Sequence, residues 1–322
     1  MRLCYPAEPA YAAPRTRGTV GDWRARGLSL QETTLALLID PAIAARVDRL
    51  EIPFNRYGVD PYGVSKEHLY RFFTMLTFLY RTYFRVGVVG VEHVPPRGRA
   101  MLVGNHSGGV AVDGAMIISS MFHEMDPPRL GQSMAEKFIA RFPFTSLWSS
   151  RTGQFTGLPE HAVRLLEDER LLVVFPEGSR GTAKLYSERN SLVHFGPGFV
   201  RLALKTQAPI IPVGFVGGGE AVPTIANAYG LGRLLGVPYI PVTPYLFAVP
   251  LPVRLEITYG EAMTFPGTGA EDDEVIQGYV DQVKARIADL IEVGRQRRRG
   301  EIVAARERRA ALRQGAAGGH DQ

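Results

Sequence analysis

His106 and Asp113 are the first residues whose types and spacing suit chemistry. They lie in the segment 104–113, GNHSGGVAVD, which follows a short apolar stretch. An aspartate that is hydrogen-bonded to one imidazole nitrogen fixes the tautomer and stabilises the imidazolium that forms when the other nitrogen takes a proton. The pair is therefore typical of a general base. Because the Gly-x-Ser-x-Gly pattern of a serine nucleophile is absent around Ser179, the base would activate a substrate hydroxyl directly.

A second polar loop, FPEGSRG at 175–181, also follows a short apolar stretch. Its Arg180 suits a phosphate, because a guanidinium binds oxyanions bidentately and the flanking glycines let backbone N–H groups approach. Each loop also has an ordinary interpretation, in which the histidine is a hydrogen-bonded structural residue and the arginine is solvated. The spacing alone leaves both interpretations open.

Other candidate motifs are incomplete. HEMD at 123–126 lacks the second histidine of a zinc helix, and the glycines at 217–219 and 230–232 lack the third glycine of a dinucleotide-binding loop. The single cysteine, Cys4, excludes a disulfide framework and a cysteine-built zinc site. We therefore expect no metal site and no cofactor.

Short apolar runs alternate with amphipathic stretches through the middle of the chain. The pattern predicts helices near 113–122, 134–141, 160–170 and 198–205, and strands near 86–94, 100–104, 171–175, 209–216 and 253–259. This alternation predicts an α/β fold with a mixed, largely parallel sheet flanked by helices. If the strands before the two loops are parallel, both loops lie at the edge of the sheet where sites of open α/β folds collect. The apolar segment 228–252 contains too many prolines for a regular helix or a central strand.

Changes in composition divide the chain into five parts. They are a partly helical N-terminal extension at 1–65, an amphipathic helix at 66–85, a central α/β domain at 86–265, a C-terminal helix at 271–293 and a basic tail at 295–322. The second part carries Phe, Leu and Tyr between Arg71 and Arg81, which suits a helix in a membrane interface or one packed on the protein's own core. No window reaches the roughly 20 apolar residues of a transmembrane helix, and no secretory signal is visible.

The 322 residues carry a net charge of +5, and their apolar share of 45% excludes a chain that is disordered throughout. The charge is concentrated at 295–313, which hold eight Arg and two Glu, so the remainder is close to neutral. Such a run fits a solvated tail or a tether to anionic lipid. Nucleic acid is the weakest option, because no nucleic-acid-binding motif accompanies the run.

The two loops, in this order, resemble the glycerolipid acyltransferase superfamily, in which an Asn-His-x4-Asp motif precedes a Phe-Pro-Glu-Gly-Thr-Arg block. The resemblance covers about residues 86–265. FPEGSR at 175–180 is a specific match, and further blocks are matched by KFI at 137–139 with FPF at 142–144, APIIPV at 208–213 and YGEA at 259–262. The chain departs from the motif because six residues, including Gly108 and Gly109, separate His106 from Asp113. This departure, with GQFTG at 153–157, is similar to the branch related to diacylglycerol acyltransferases.

The resemblance implies an O-acyltransferase in which His106 deprotonates an acceptor hydroxyl and Asp113 orients the imidazole. The hydroxyl then attacks the thioester of acyl-CoA or acyl carrier protein. It also implies that the acceptor is bound by Asn105, Glu177, Gly178 and Arg180. The expected location is the cytoplasmic side of a membrane, with peripheral association and membrane lipids as partners. The alternatives are a transferase with a neutral acceptor such as diacylglycerol or a wax alcohol, a lipid esterase or thioesterase, and a non-catalytic lipid-binding protein.

Overall fold

The computed structural model describes residues 40–108, 112–135, 143–156, 159–245 and 249–317. Its central sheet is formed by β1 (Gly87–Val89), β2 (Ala100–Gly104), β3 (Gly131–Ala135), β4 (Gln154–Thr156), β5 (Leu171–Val174), β6 (Ile210–Val216) and β9 (Glu256–Tyr259). The spatial order is β1-β9-β6-β2-β5-β3-β4. All neighbours are parallel except β6 and β9, which are antiparallel. The predicted α/β fold with a mixed, largely parallel sheet is confirmed.

Helices cover both faces of this sheet. They are α1 (Pro41–Val47), α2 (Lys66–Thr77), α3 (Val112–Glu124), α4 (Pro143–Arg151), α5 (Pro159–Glu167), α6 (Ser179–Thr182), α7 (Gly198–Thr206), α8 (Gly218–Ala221), α9 (Tyr229–Leu235) and α10 (Asp273–Ala317). Side chains alternate across a strand, so Leu102 of β2 packs in the cluster that contains residues of α2 and α3. Its neighbours Met101 and Val103 pack in the cluster that contains residues of α5, α7 and α10. Burial on both faces explains why β2 is uniformly apolar.

Most of the apolar surface of α2 lies in the protein core. Leu69 and Phe73 are fully buried, and the ring of Phe73 stacks on Phe122 of α3 with centroids 3.8 Å apart. The helix continues as a π-helical segment over Phe78–Tyr83. The sequence left two interpretations of residues 66–85, a helix in a membrane interface and a helix packed on the protein's own core. Packing on the core describes most of these residues. An interfacial role stays a prediction for Met75 and Phe78, which are 51% and 57% exposed.

Two strands differ from the sequence-based expectations. β3 occupies part of the stretch where a helix is predicted at 134–141, and residues 136–142 lie outside the described ranges. The segment GQSMA is a strand because β4 and β5 pair with it on both sides, and such context overrides a weak intrinsic preference. β9 alternates in sequence like a half-exposed strand, but all four of its residues are buried.

The segment 217–255, between β6 and β9, leaves the sheet, and we call it the excursion. It contains α8, the helix α9 and a small hairpin-like pair, β7 (Ala226–Asn227) with β8 (Pro241–Val242). The expectation that 228–252 holds no regular helix is wrong for the seven residues of α9. This helix fits between the prolines and ends at Gly236, whose φ of 75° is suited to glycine as a helix cap. The hydroxyl of Tyr83 donates to the carbonyl of Pro250 at 2.6 Å and joins the excursion to the segment after α2.

The C-terminal helix α10 is continuous from Asp273 to Ala317, so the helix predicted at 271–293 and the basic tail from 295 share one element. Its stripe of Ile276, Val280, Val283 and Ile287 is buried. The arginines that follow contact the folded domain. Arg297 lies 3.7 Å from Glu256, and Arg298 lies 3.1 Å from Glu220. Within the described part of the chain, no helix combines the length and apolarity needed to cross a bilayer.

Candidate active site

The parallel pairing of β2 and β5 brings the two polar loops together. Ala100 to Val103 of β2 lie opposite Leu171 to Val174 of β5, so both strands end at the same level. The loop that starts at Asn105 therefore adjoins the loop that starts at Phe175. This is the edge at which the carboxyl ends of parallel strands form a site.

His106 and Asp113 are in direct contact despite the six residues between them. Nδ1 of His106 lies 3.0 Å from Oδ2 of Asp113. The carboxylate also accepts hydrogen bonds from the backbone N–H groups of Ser107 at 3.1 Å and Gly114 at 2.8 Å. Asp113 lies in the first turn of α3, where free N–H groups stabilise a negative charge.

This geometry assigns the imidazole proton. A carboxylate only accepts hydrogen bonds, so Nδ1 of His106 carries the hydrogen and Nε2 is left as the basic nitrogen. The ring of Phe175 lies against the imidazole, with centroids 4.1 Å apart and planes 13° apart. The side chain of His106 is 10% exposed and that of Asp113 is 1% exposed. The imidazole is thus oriented by a buried carboxylate and a stacked ring, and it retains limited access to solvent.

Glu177 and Lys184 form a buried ion pair beneath His106. Nζ of Lys184 lies 2.7 Å from Oε1 and 2.8 Å from Oε2 of Glu177. The carboxylate also accepts from the backbone N–H groups of His106 at 2.8 Å and Val193 at 2.9 Å. Four internal hydrogen bonds thus engage the carboxylate that the sequence predicts as an acceptor ligand.

Asn105 connects the site to the sheet. Its side-chain oxygen accepts from the backbone N–H of Phe215 at 2.8 Å, and its amide nitrogen donates to the carbonyl of Phe215 at 3.1 Å. The residue is fully buried. The side chain therefore extends the pairing of β2 with β6 by one position, immediately before His106. Its predicted contact with the acceptor stays a prediction.

Gly178 and Arg180 belong to the turn that leads from β5 into α6. Gly178 has φ of 55° and ψ of −150°, a conformation that only glycine adopts readily. Arg180 is exposed, and among the residues described no carboxylate forms an ion pair with it. Its guanidinium is therefore free to meet an anionic ligand at the same edge of the sheet.

Sequence reasoning missed Lys184. Its ammonium is buried, and burial lowers its pKa, while the adjacent carboxylate of Glu177 opposes the shift. The only signal in the sequence is a single lysine within GTAKL, seven residues after Glu177. Residues 177–184 do not form one continuous helix or strand, so no periodicity in the sequence connects the two side chains.

An imidazole oriented by a carboxylate, beside an exposed arginine at the carboxyl edge of a parallel sheet, is an arrangement typical of enzymes that activate a hydroxyl for group transfer or hydrolysis. A family model described as Acyltransferase matches residues 85–216, which contain both loops. The chain belongs to this acyltransferase family and is an acyltransferase.

The relatives include bacterial and mammalian proteins. An uncharacterized protein of Mycobacterium tuberculosis is 34% identical over 248 residues, which cover 74% of this chain and 68% of that protein. A Bos taurus protein named as a DGAT1/2-independent enzyme synthesizing storage lipids is 27% identical over 128 residues, 39% of this chain and 37% of that protein. Among solved structures, the 1-acyl-sn-glycerophosphate acyltransferase PlsC of Thermotoga maritima matches 70% of this chain and 81% of its own, with 18% identity and a TM-score of 0.46.

Proposed function

We propose that this acyltransferase moves a fatty acyl group from acyl-CoA or acyl carrier protein to a hydroxyl of a glycerolipid or lysophospholipid. The hydrogen bond between Nδ1 of His106 and Asp113 carries this proposal, because it leaves Nε2 as a base. Nε2 removes the hydroxyl proton as the oxygen attacks the thioester carbonyl. The C–S bond then breaks, and the imidazolium returns the proton to the leaving thiolate. The donor is a substrate, and this sequence of steps requires no cofactor.

The choice of a substrate hydroxyl as nucleophile is supported by the surroundings of His106. Across the described ranges, no serine, threonine or cysteine side chain is hydrogen-bonded to its imidazole. A covalent acyl-enzyme route needs such a group beside the base. Direct transfer between the two substrates is therefore the favoured mechanism over a lipid esterase or thioesterase route.

Acyl transfer is tested with purified protein, radiolabelled acyl-CoA and a panel of lysophosphatidate, other lysophospholipids, diacylglycerol and a long-chain alcohol. We expect an acylated lipid from at least one acceptor. His106→Ala should lower kcat by about 1,000-fold, as loss of a general base does. His161→Ala, on the exposed side of α5, is the matched control. Equal rates for the two variants would exclude His106 as the base.

Arg180 is proposed to bind the anionic head of a phosphorylated acceptor. Charge-assisted hydrogen bonds of this kind contribute about 1.5 to 3 kcal/mol, so Arg180→Ala should raise KM for a lysophospholipid by about 10-fold or more. KM for diacylglycerol should not change. Arg164→Ala, at an exposed position of α5, is the control. An equal change of KM for both acceptors would favour the alternative of a neutral acceptor, to which the similarity with the Bos taurus storage-lipid enzyme also points.

Peripheral membrane association is part of the proposal. Nine of the fifteen large apolar side chains that are exposed in the described ranges lie at Met75 and Phe78 and in the excursion between β6 and β9. Leu234 is 81% exposed and Val249 is 62% exposed. Exposed arginines accompany them at positions 81, 85 and 233, and they suit anionic lipid heads.

The membrane surface is tested by flotation with vesicles that contain anionic lipid. The double variant Leu234→Glu, Leu235→Glu should lower binding by about 10-fold or more, because two apolar side chains are lost from the contact. Val275→Glu, Val293→Glu alters two exposed apolar residues of α10 and should bind as the wild type does. Unchanged binding of the α9 variant would remove the excursion from the membrane contact.

A further inference from the structure

The main chain of His106 is held on both sides by one ion pair. Its N–H donates to Oε2 of Glu177 at 2.8 Å, and its carbonyl accepts from Nζ of Lys184 at 2.7 Å. Glu177 follows β5 and Lys184 lies 78 positions from His106. The backbone N–H and the backbone carbonyl of His106 are therefore both bound by side chains from a part of the chain that is distant in sequence.

Both charged groups of the ion pair are hydrogen-bonded and shielded from solvent. The side chains of Lys184 and Glu177 are 1% and 0% exposed. Lys184 directs three hydrogen bonds to His106 and to the two oxygens of Glu177, and Val193 occupies a further position on the carboxylate. Each charge is thus neutralised and hydrogen-bonded, which a buried pair needs if it is to persist.

Stability alone does not account for this arrangement. Removing two charges from water costs several kcal/mol per ion, and apolar side chains of similar volume often give equal or greater stability. An apolar pair, however, has no donor for the carbonyl of His106 and no acceptor for its N–H. The particular contribution of the ion pair is therefore the position of the main chain that carries the imidazole.

We propose that Lys184 and Glu177 are positioning residues that clamp the main chain of His106, so that its imidazole keeps both the Asp113 hydrogen bond and the Phe175 stack. This rests on the proposed role of His106 as the base. Glu177 thereby acts through His106 and not through the acceptor. A rotation of the His106 peptide would carry Nδ1 away from Oδ2 of Asp113, and misplacement by about 1 Å costs roughly 100-fold in rate.

The test compares Lys184→Met with Lys205→Met, which alters an exposed lysine of α7. We expect Lys184→Met to lower kcat by about 100-fold and to leave KM for both substrates within about 2-fold, because neither substrate contacts the clamp. Lys205→Met should retain the wild-type constants. A folded Lys184→Met protein with wild-type kcat would overturn the proposal, and so would a loss confined to KM.

The double variant Glu177→Gln, Lys184→Met guards against misfolding, because it leaves no unpaired buried charge. Its kcat should remain low, since the carbonyl of His106 still lacks a donor. In a sample with ¹⁵N-labelled histidine, the Nδ1–H resonance of His106, assigned by its absence in His106→Ala, should shift in both variants. A folded double variant with wild-type kcat and an unmoved resonance would reject the clamp. If the wild type itself transfers no acyl group, the proposed function fails, whereas the resonance still reports on the clamp.

Discussion

A Cβ atom placed on Gly181 would lie 2.7 Å from the Cβ of His106. Real Cβ atoms essentially never approach so closely, so α6 contacts His106 only because residue 181 has no side chain. The same atom would lie 2.6 Å from Oε2 of Glu177. Gly181 is thus part of the packing that supports the His106 loop, although it offers no chemical group.

Gly181→Ala should lower kcat by about 10-fold to 100-fold, because the added methyl displaces His106 or Glu177. The fold should survive, since alanine is compatible with a helix. Steady-state kinetics and thermal unfolding are measured on the same preparation. Gly198→Ala is the matched control, because a Cβ at that position meets nothing within 4 Å. Unchanged kinetics in Gly181→Ala would mean that the loop relaxes without moving the base.

Asp113→Asn should lower kcat by about 1,000-fold or more, a loss of the size that accompanies an inverted histidine tautomer. The asparagine amide oxygen can accept from the N–H of Gly114 in the place of Oδ1, and its NH2 then takes the place of Oδ2, where it faces Nδ1 of His106 and leaves the N–H of Ser107 without this acceptor. Nδ1 must then accept, so Nε2 carries the hydrogen and is no longer a base. Single-turnover acyl transfer measures the effect, with Asp289→Asn on the exposed face of α10 as the control. A loss under 10-fold, about 1.4 kcal/mol, would show that the carboxylate does not set the tautomer.

Truncation separates the two parts of the arginine-rich segment. A chain that ends at residue 294 loses Arg297 and Arg298, which are one partner each of Glu256 and Glu220. Because Glu256 keeps Arg254 and Glu220 keeps Arg189, the free energy of unfolding should fall by only about 1 kcal/mol. A chain that ends at 302 keeps both pairs and should unfold like the full chain in urea. If arginines 306–313 tether the protein to anionic vesicles, both truncated chains lose binding, in a salt-sensitive manner. Loss of binding in the shorter chain alone would exclude arginines 306–313 as the tether, and an unchanged urea transition in that chain would then place the tether at the arginines among residues 295–299.

His123 should make the protein less stable in mild acid. Burial lowers the pKa of its imidazole to about 4, against about 6.5 in the unfolded chain. Between these values the unfolded state binds more protons, so stability is full above pH 6.5 and declines as the pH falls towards 4. The expected loss between pH 7 and 4.5 is about 2 to 3 kcal/mol. In urea unfolding, His123→Gln should remove most of this loss of stability in acid. His161→Gln, at an exposed position of α5, should retain the loss.

The sequence predicts the location of the site better than its internal contacts. Two apolar runs, each followed by a polar loop, bring His106 and Arg180 to one edge if the two strands are parallel, and β2 and β5 meet this condition. The contact between Lys184 and the carbonyl of His106 has no such pattern, because it joins a side chain to a backbone group 78 residues away. Tertiary packing alone creates it.

Predictions from local sequence are also wrong where contacts with residues distant in sequence determine the structure. The segment of β3 has no β-branched residue, and only its position between β4 and β5 makes it a strand. The arginines at 297 and 298 look like part of a solvated run, but acidic residues of β9 and α8 bind them. Glu177 lies in the loop expected to bind the acceptor, yet its oxygens are directed to the protein interior. In each case the deciding partner is distant in sequence.

The pairing of the first strand with the last one has a consequence for synthesis on the ribosome. Gly87 of β1 lies opposite Glu256 of β9, and β9 is the only neighbour of β1 in the described sheet. A nascent chain therefore has an unpaired β1, and an open edge on β6, until β9 leaves the exit tunnel. Such edges are templates for pairing with other chains. Translation pauses between β6 and β9 would thus be the stage at which chaperones are most needed.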